Sequence, residues 1–362
     1  MEGSVAMNGG DGPNSYTMNS SHQKAGLDRA KHLLQIGIEE NLEVLEDSKD
    51  MNNQKIYRIS DLGCSVGPNT FICVQAIMES IILKYESLNL GQKIPEFLVF
   101  FNDHVTNDFN TLLQALPSDR NYLAAAVPGS FHDRLFPKSS MNFIHSSFAL
   151  HWLSKVPQEV TTKDSPAWNK GRITYVDSCP EVVEAYTSQF QKDMDNFFEL
   201  RSVEVAKDGL MVILILCRVE GSPPTEAAVS HMNEGLGYAL MDMAKEGLVD
   251  EGLVDSFNIP IYIPTALELK EAVTRNGKFS IEILEKTHYP PQLDTPEKIQ
   301  ICCQHIRAAL EGMVIEHFGS QINNELFNRY PTKLEELSRT PFYASIAKTE
   351  NLFLLVKRNA VV

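Results

Sequence analysis

The sequence predicts an α/β fold: a doubly wound parallel sheet whose chain then passes into a largely helical region. Three observations carry this. Short apolar runs alternate with amphipathic stretches between 56 and 218, the pattern of strands joined by helices that cover both faces of a parallel sheet. One run, Ile56-Tyr-Arg-Ile-Ser-Asp-Leu-Gly-Cys-Ser-Val-Gly-Pro-Asn69, passes from an apolar strand through a small-residue loop straight into a long amphipathic helix. After Arg218 the alternation stops at Gly221-Ser-Pro-Pro224 and the following segments read mostly as helices.

Residues 1–22 are rich in Gly, Asn and Ser, and composition alone predicts disorder there. Ala30, Leu33, Leu34, Ile36 and Ile38 recur at helical spacing and predict a helix over 24–45. Strands follow at 56–62 and 96–102, with helices at 70–85 and 107–116. Further buried strands are expected at 122–127, 141–146 and 210–216, the last preceded by a long helix over 181–206. In the helical region the spacing predicts helices at 226–246, 266–276 and 297–318. A strand at 279–287 returns to the sheet, and the closing run 352–356 is read as a strand in the edge region. There is no internal repeat, and no linker is long enough to separate independent domains.

The chain has 362 residues, enough for a large core in one enlarged unit or a core with a cap. A net charge of -15 without clustered Lys and Arg argues against a nucleic-acid partner, because neutralising phosphates needs basic patches. Small molecules are the expected ligands. No signal peptide is evident, and no apolar run reaches the roughly 18 residues that span a bilayer, so a soluble intracellular protein is expected. Cys64, Cys73, Cys179, Cys217, Cys302 and Cys303 show neither C-x-x-C nor Cys/His ligand spacing, which points to reduced, packed thiols.

Ligands of open α/β sheets sit beyond the carboxyl ends of the strands. Four such ends carry candidate chemistry. In the first loop Gly63 and Gly67 permit backbone conformations and close approaches that a Cβ blocks. The loop lacks the third glycine of G-x-G-x-x-G, Pro68 removes an N–H donor, and no Gly-Lys-Ser/Thr follows, so it suits a nucleoside better than a pyrophosphate or triphosphate. An ordinary tight turn is the structural alternative. At the second end Asp103 can accept both hydroxyls of a ribose, or simply close a surface turn. At the third, Val127-Pro-Gly-Ser-Phe131, Ser130 can bond a base or sugar edge and Phe131 can cover a ring. At the fourth, Ser146-Ser-Phe-Ala-Leu-His-Trp152, His151 and Trp152 offer N–H donors on apolar bodies, though such a pair is also ordinary core material.

Taken in order, Ser15-Tyr16 with Asn19-Ser20-Ser21-His22-Gln23, Asp61-Leu-Gly-Cys-Ser-Val-Gly-Pro-Asn-Thr70, Phe101-Asn-Asp103 with Asn107-Asp-Phe-Asn110, Val127-Pro-Gly-Ser-Phe131 and His151-Trp-Leu-Ser-Lys-Val-Pro157 resemble the plant SABATH methyltransferases. The resemblance runs nearly the whole chain, to Leu352-Phe-Leu-Leu-Val-Lys-Arg358. It implies a Rossmann-like class I methyltransferase sheet flanked by helices, with an α-helical cap. It also implies methyl transfer from S-adenosylmethionine to the carboxylate of a small acid, or, in one branch, to a xanthine nitrogen.

Position by position, the resemblance puts Tyr16, Cys64, Asn69, Asp103, His104, Ser130 and Phe131 around the cofactor, His104 standing where many relatives have Leu. Gln23 and Trp152 match the pair that grips the substrate carboxylate, with Phe148 and His151 beside them. Asn169, Asp255, Phe257 and Asn258 match positions that some relatives use for a magnesium ion. The first 23 residues would then fold over the ligands as a lid. Residues 24–218, 278–290 and 350–362 would form the cofactor-binding core, and 219–277 with 291–345 the cap. A cytoplasmic homodimer is implied. The acceptor pocket would be finished by 221–243, Tyr262 and 306–314. His151 stands where salicylate-selective relatives tend to carry Met, which leans the acceptor toward a bulkier or aliphatic acid: a jasmonate-like, indole, terpenoid or iridoid carboxylate. A silent small-molecule binder and an NAD-dependent dehydrogenase are weaker readings, the latter for want of a pyrophosphate loop.

Overall fold

A computed structural model describes residues 6–44, 56–288, 293–340 and 349–359. Helix α1 (Ser21–Asn41) leads to strand β1 (Ile56–Leu62), helix α2 (Pro68–Ser87), strand β2 (Glu96–Asp103), the short helix α3 (Phe109–Gln114), strand β3 (Tyr122–Pro128) and strand β4 (Met141–Ser147). A turn of helix, α4 (Gln158–Thr161), precedes the long α5 (Pro180–Glu204), which runs directly into strand β5 (Val205–Cys217). Then come α6 (Ala228–Lys245), α7 (Glu251–Ser256), α8 (Ala266–Asn276), β6 (Phe279–His288), α9 (Pro296–Phe318), α10 (Asn323–Ser338) and β7 (Glu350–Arg358).

The seven strands lie in the order β3-β2-β1-β4-β5-β7-β6. β1 to β5 pair in parallel, and β7 runs antiparallel to both β5 and β6. β5 shows why the sheet is covered on both faces: from Leu210 to Cys217 every residue is buried, as in strands sandwiched between helices. Its alternate side chains divide between two cores. Val212, Leu214 and Leu216 join the cluster containing α1 and α2, while Met211, Ile213 and Ile215 join the one under α5 and α8. Helices α6, α9 and α10 pack on one another beyond the sheet, with α7 against α6.

Two placements differ from expectation. The closing run is no edge strand: β7 is inserted between β5 and β6, and Leu352 to Val356 are at most 1% exposed. β6 takes the edge, and its Ser280, Glu282, Glu285 and Lys286 are the polar residues that an edge tolerates. Helix α10 is not among the expected helices, and it carries Pro331 inside it. The disorder expected from composition also fails for residues 6–20. Ser15, Tyr16 and Ser20 are buried. The segment is tied down by Asn8 N donating to Ala308 O (2.8 Å), Tyr16 N to Asn8 O (2.9 Å) and Gly10 N to Asp108 Oδ2 (3.0 Å). Composition measures how little apolar surface a segment can bury; it is blind to polar groups that find partners in the rest of the chain. The thiols are free as expected, with only Cys179 exposed. Among the described residues no helix is long and apolar enough to cross a membrane.

Candidate functional site

The loop after β1 is shaped by its backbone. Gly63 has φ +82°, and a Cβ there would lie 2.5 Å from the Cβ of Ala149, so only glycine fits. Gly67 departs from expectation: it caps α2 at φ -92° and a Cβ would find ordinary contact at 3.5 Å. The other unusual conformation belongs to Ser65, at φ +51°. Asn102 O accepts from both Gly63 N (2.9 Å) and Cys64 N (3.0 Å), Ser65 N donates to Asp103 Oδ2 (2.7 Å), and Asn107 Nδ2 donates to Ser65 O (3.1 Å). The end of β2 therefore holds the β1 loop open. Beneath it, Asp61 accepts from the Thr70 hydroxyl and pairs with His145 Nδ1 at 2.7 Å.

Over this loop lies a cavity of about 390 Å³ bordered by Tyr16, Ser65, Asp103, His104, Ser130 and Phe131. Five of the seven expected cofactor residues thus meet there. Cys64 and Asn69 lie outside the lining: the Cys64 thiol faces Ser65 O at 3.5 Å, and Asn69 Nδ2 donates to the carbonyl and hydroxyl of Ser20, both at 3.1 Å. Burial pushes the Asp103 carboxyl up to about 6, against the opposing pull of the Ser65 and His104 amides. At neutral pH it is still mostly ionised. Helix α5 supports the far wall, where Arg201 donates to Phe131 O (2.9 Å) and Asp133 O (2.7 Å) while pairing with Glu204 at 2.8 Å, both side chains 0% exposed.

A second cavity of about 310 Å³ adjoins it, lined by Gln23, His151, Asn233, His305 and a majority of apolar side chains. Met7, Phe148 and Trp152 border both cavities. Phe148 stands at the end of β4 with φ +52°, a strained conformation for a bulky residue. Gly26 of α1 makes room for its ring, since a Cβ there would be 2.4 Å from Phe148 Cζ.

Unmet polar atoms collect around the wall between the cavities. Trp152 Nε1, His151 Nδ1 and Gln23 Oε1 are buried without hydrogen-bond partners. Gln23 Nε2 lies 3.1 Å from His305 Nε2, whose Nδ1 lies 3.0 Å from Asn19 O. A carbonyl only accepts, so the His305 proton sits on Nδ1 and Nε2 accepts from Gln23. His132 works alike: Nε2 donates to Trp152 O at 3.1 Å, leaving Nδ1 buried and unpartnered. Burial, with the neighbouring His305, pulls the pKa of both His151 and His22 down to about 4, and burial lowers that of His305. At neutral pH these imidazoles are uncharged.

Sequence reasoning did not single out Ser65 within the first loop or Asn233 within 221–243, and it missed His132 and His305. No quoted motif contains the last two; His305 reaches Gln23 across 282 residues of chain. Tyr262, expected in the acceptor pocket, is instead buried against α8, its hydroxyl donating to Glu268 Oε1 at 2.6 Å. The magnesium quartet is drawn together, with the amide oxygens of Asn169 and Asn258 and one oxygen of Asp255 accepting hydrogen bonds. Asn169 Nδ2 donates to Thr174 O (2.8 Å) and Asn258 Oδ1 (2.7 Å), Ser178 donates to Asn169 Oδ1 (2.7 Å), and Asp255 Oδ1 accepts from Gly171 N (2.7 Å). Phe257 packs its ring against His317 and Phe318, both at 5.1 Å. Thr174 O fixes which way the Asn169 amide points, and Asn169 fixes Asn258 in turn, so both amide oxygens already accept from protein donors.

Comparison with known proteins agrees with this geometry. The family of SAM dependent carboxyl methyltransferases matches residues 2–359. Loganic acid O-methyltransferase of Catharanthus roseus is 43% identical over 97% of this chain and 94% of its own. Farnesoic acid carboxyl-O-methyltransferase of Arabidopsis thaliana is 35% identical over 99% of this chain and 100% of its own. A solved structure, loganic acid methyltransferase with SAH, superposes with a TM-score of 0.89 at 42% identity, covering 98% of this chain and 99% of that one. Two adjoining cavities at the carboxyl ends of a seven-stranded sheet are what such an enzyme needs, and the chain belongs to the SAM-dependent carboxyl methyltransferases, the SABATH family.

Proposed function

We propose that the enzyme methylates a small plant carboxylic acid bulkier than salicylate, of jasmonate-like, indole, terpenoid or iridoid type. The cavity over the β1 loop takes S-adenosylmethionine and the adjoining one takes the acid. The observation that carries this is the shared wall: Phe148 and Trp152 border both cavities, and the Trp152 indole N–H is buried there without a partner. A carboxylate supplies the acceptor that this donor lacks, close to where the two ligands would meet. Similarity to a loganic acid O-methyltransferase over nearly the whole chain supports the choice of a bulky acid.

When bound, S-adenosylmethionine supplies a methyl group on a sulfonium, which a carboxylate oxygen can take in one in-line displacement. A carboxylic acid with a pKa near 4 is already ionised at neutral pH, so no side chain has to remove a proton. His151, held uncharged, is then a wall and a potential donor rather than a base. Gln23 and Trp152 aim N–H groups at one carboxylate oxygen and leave the other toward the methyl. Positioning of that kind contributes on the order of 7 to 11 kcal/mol in well-oriented systems. The rings of Phe148 and Phe131 add roughly 0.5 to 2 kcal/mol of attraction for a cation. Asp103 takes the ribose hydroxyls, and Ser130 with Phe131 takes the adenine. Residues 6–20 act as the lid, excluding water from the reacting groups. The enzyme acts in the cytoplasm as a homodimer, which light scattering on the purified chain checks.

A screen with methyl-labelled S-adenosylmethionine against a panel of these acids, salicylate and xanthines tests the proposal. Label in base-labile esters of the bulkier acids is expected. Transfer confined to xanthines, or to salicylate, overturns it.

A further inference from the structure

Asn233 is a polar residue of the acceptor cavity that lies outside the carboxylate-gripping set. It lies on the buried face of α6, 1% exposed, and borders the cavity beside Val229 and Met232. Its Oδ1 is buried without a hydrogen-bond partner, and among the described residues its Nδ2 makes no hydrogen bond either. A buried amide oxygen left unpaired is rare in folded proteins and destabilises them, whereas an apolar residue of the same size would not. The protein supplies that oxygen with no hydrogen bond, and a ligand that displaces solvent from the cavity can supply one.

We infer that Asn233 is a specificity-determining residue that reads a hydroxyl group on the acceptor acid, away from its carboxylate. An amide has both a donor and an acceptor to satisfy, and a hydroxyl can offer both in return, which a ketone, an ether or a hydrocarbon cannot. The substrate class narrows accordingly, from a bulky acid to a bulky hydroxy acid. A deoxy analogue enters the cavity but leaves the amide unpaired. Sites built around a polar substrate group discriminate strongly against analogues that lack it.

This inference rests on the acid occupying the cavity beside Trp152, so the test reads binding separately from turnover. The wild-type enzyme, saturated with S-adenosylhomocysteine, is titrated calorimetrically with matched pairs of alicyclic carboxylic acids. Within a pair, one ring hydroxyl, set at successive distances from the carboxyl group, is replaced by hydrogen. At one of those distances the hydroxy acid should bind about tenfold to a hundredfold more tightly than its partner. In Asn233→Leu, and in Asn233→Ala as a second variant, that ratio should collapse toward one or invert, with S-adenosylhomocysteine affinity unchanged and the melting temperature of Asn233→Leu equal to or above wild type. A ratio that survives both substitutions, equal binding within every pair in the wild type, or no binding of any acid overturns the inference. Selective binding of the hydroxy acid with no methyl ester formed overturns the methyl-transfer reading while leaving the Asn233 site standing.

Discussion

In the proposed reaction Trp152 and Asp103 act through single groups, and each role can be tested by removing or titrating that group. Trp152→Phe keeps a ring on the wall between the cavities and deletes only the unpartnered Nε1–H. Hydrogen bonds to charged groups contribute about 1.5 to 3 kcal/mol, so kcat/KM for the acid should fall roughly tenfold to a hundredfold. Gln23→Ala should cost a similar factor. S-adenosylhomocysteine affinity, measured by calorimetry, should stay within about twofold in both; an unchanged kcat/KM would remove either residue from the carboxylate grip. For Asp103, burial sets the pKa of the empty site at about 6. Ribose hydroxyls donate more strongly to the ionised carboxylate than to the protonated acid, so cofactor affinity should be flat above that pH and weaken below it, by up to about tenfold between pH 7 and pH 5. Asp103→Asn should bind weakly at every pH and lose the dependence. These residues were legible for different reasons. Asp103 and Trp152 follow from their positions at or just after the ends of strands, whereas Gln23 was visible only through the family resemblance. His305, which aligns Gln23, was visible by neither route, because nothing local in a helix records which distant loop will dock on it.

Helix α5 shows how an element far from the ligands in sequence sets the shape of a binding loop. Arg201 and Glu204, three apart on its buried face, form an ion pair from which the guanidinium reaches Phe131 O and Asp133 O and the carboxylate accepts from Leu135 N and Phe136 N. Arg201→Met strands a buried carboxylate, and breaking such a pair typically costs about 3 to 5 kcal/mol. Urea unfolding should show that loss, and calorimetry a weaker cofactor. Arg201→Met combined with Glu204→Met should regain much of the stability, since apolar pairs often replace buried ion pairs without net cost. Cofactor affinity should stay low in the double variant, because the two carbonyls remain unheld; full recovery would show that the pair stabilises the helix without shaping the loop. At this scale most strands and the longer helices were legible from their periodicity. Two elements are exceptions: α10, which has a proline inside it, and β7, whose continuous apolar run is that of an interior strand.

Across the whole molecule, the order of the strands brings together residues that no sequence window contains. The inserted antiparallel β7 is one consequence, and the cluster under the cofactor loop is another. There β1, β4 and α2 meet through Asp61, His145, Cys73 and Thr70, with the Asp61 and His145 side chains only 4% and 3% exposed. Burial works against a charge on His145, but Cys73 and Asp61 beside it outweigh burial and hold its pKa up at about 10, against 6.5 as the ordinary value. The sign follows. Below about pH 6.5 the imidazole is protonated in both the folded and the unfolded chain, and the pair contributes its full stability. As the pH rises toward 10 the unfolded chain releases its proton while the folded one keeps it, and the contribution declines until it is gone. Other groups titrate in this range, so the informative quantity is a difference: the unfolding free energy of wild type minus that of His145→Gln, from urea titrations at pH 7, 8 and 9. It should be positive at pH 7, because the variant leaves Asp61 without its cation, and should shrink by up to about 1.4 kcal/mol for each pH unit. A difference that stays constant with pH would mean that His145 is held there as a neutral ring, and that β1, β4 and α2 are joined by packing and hydrogen bonds alone.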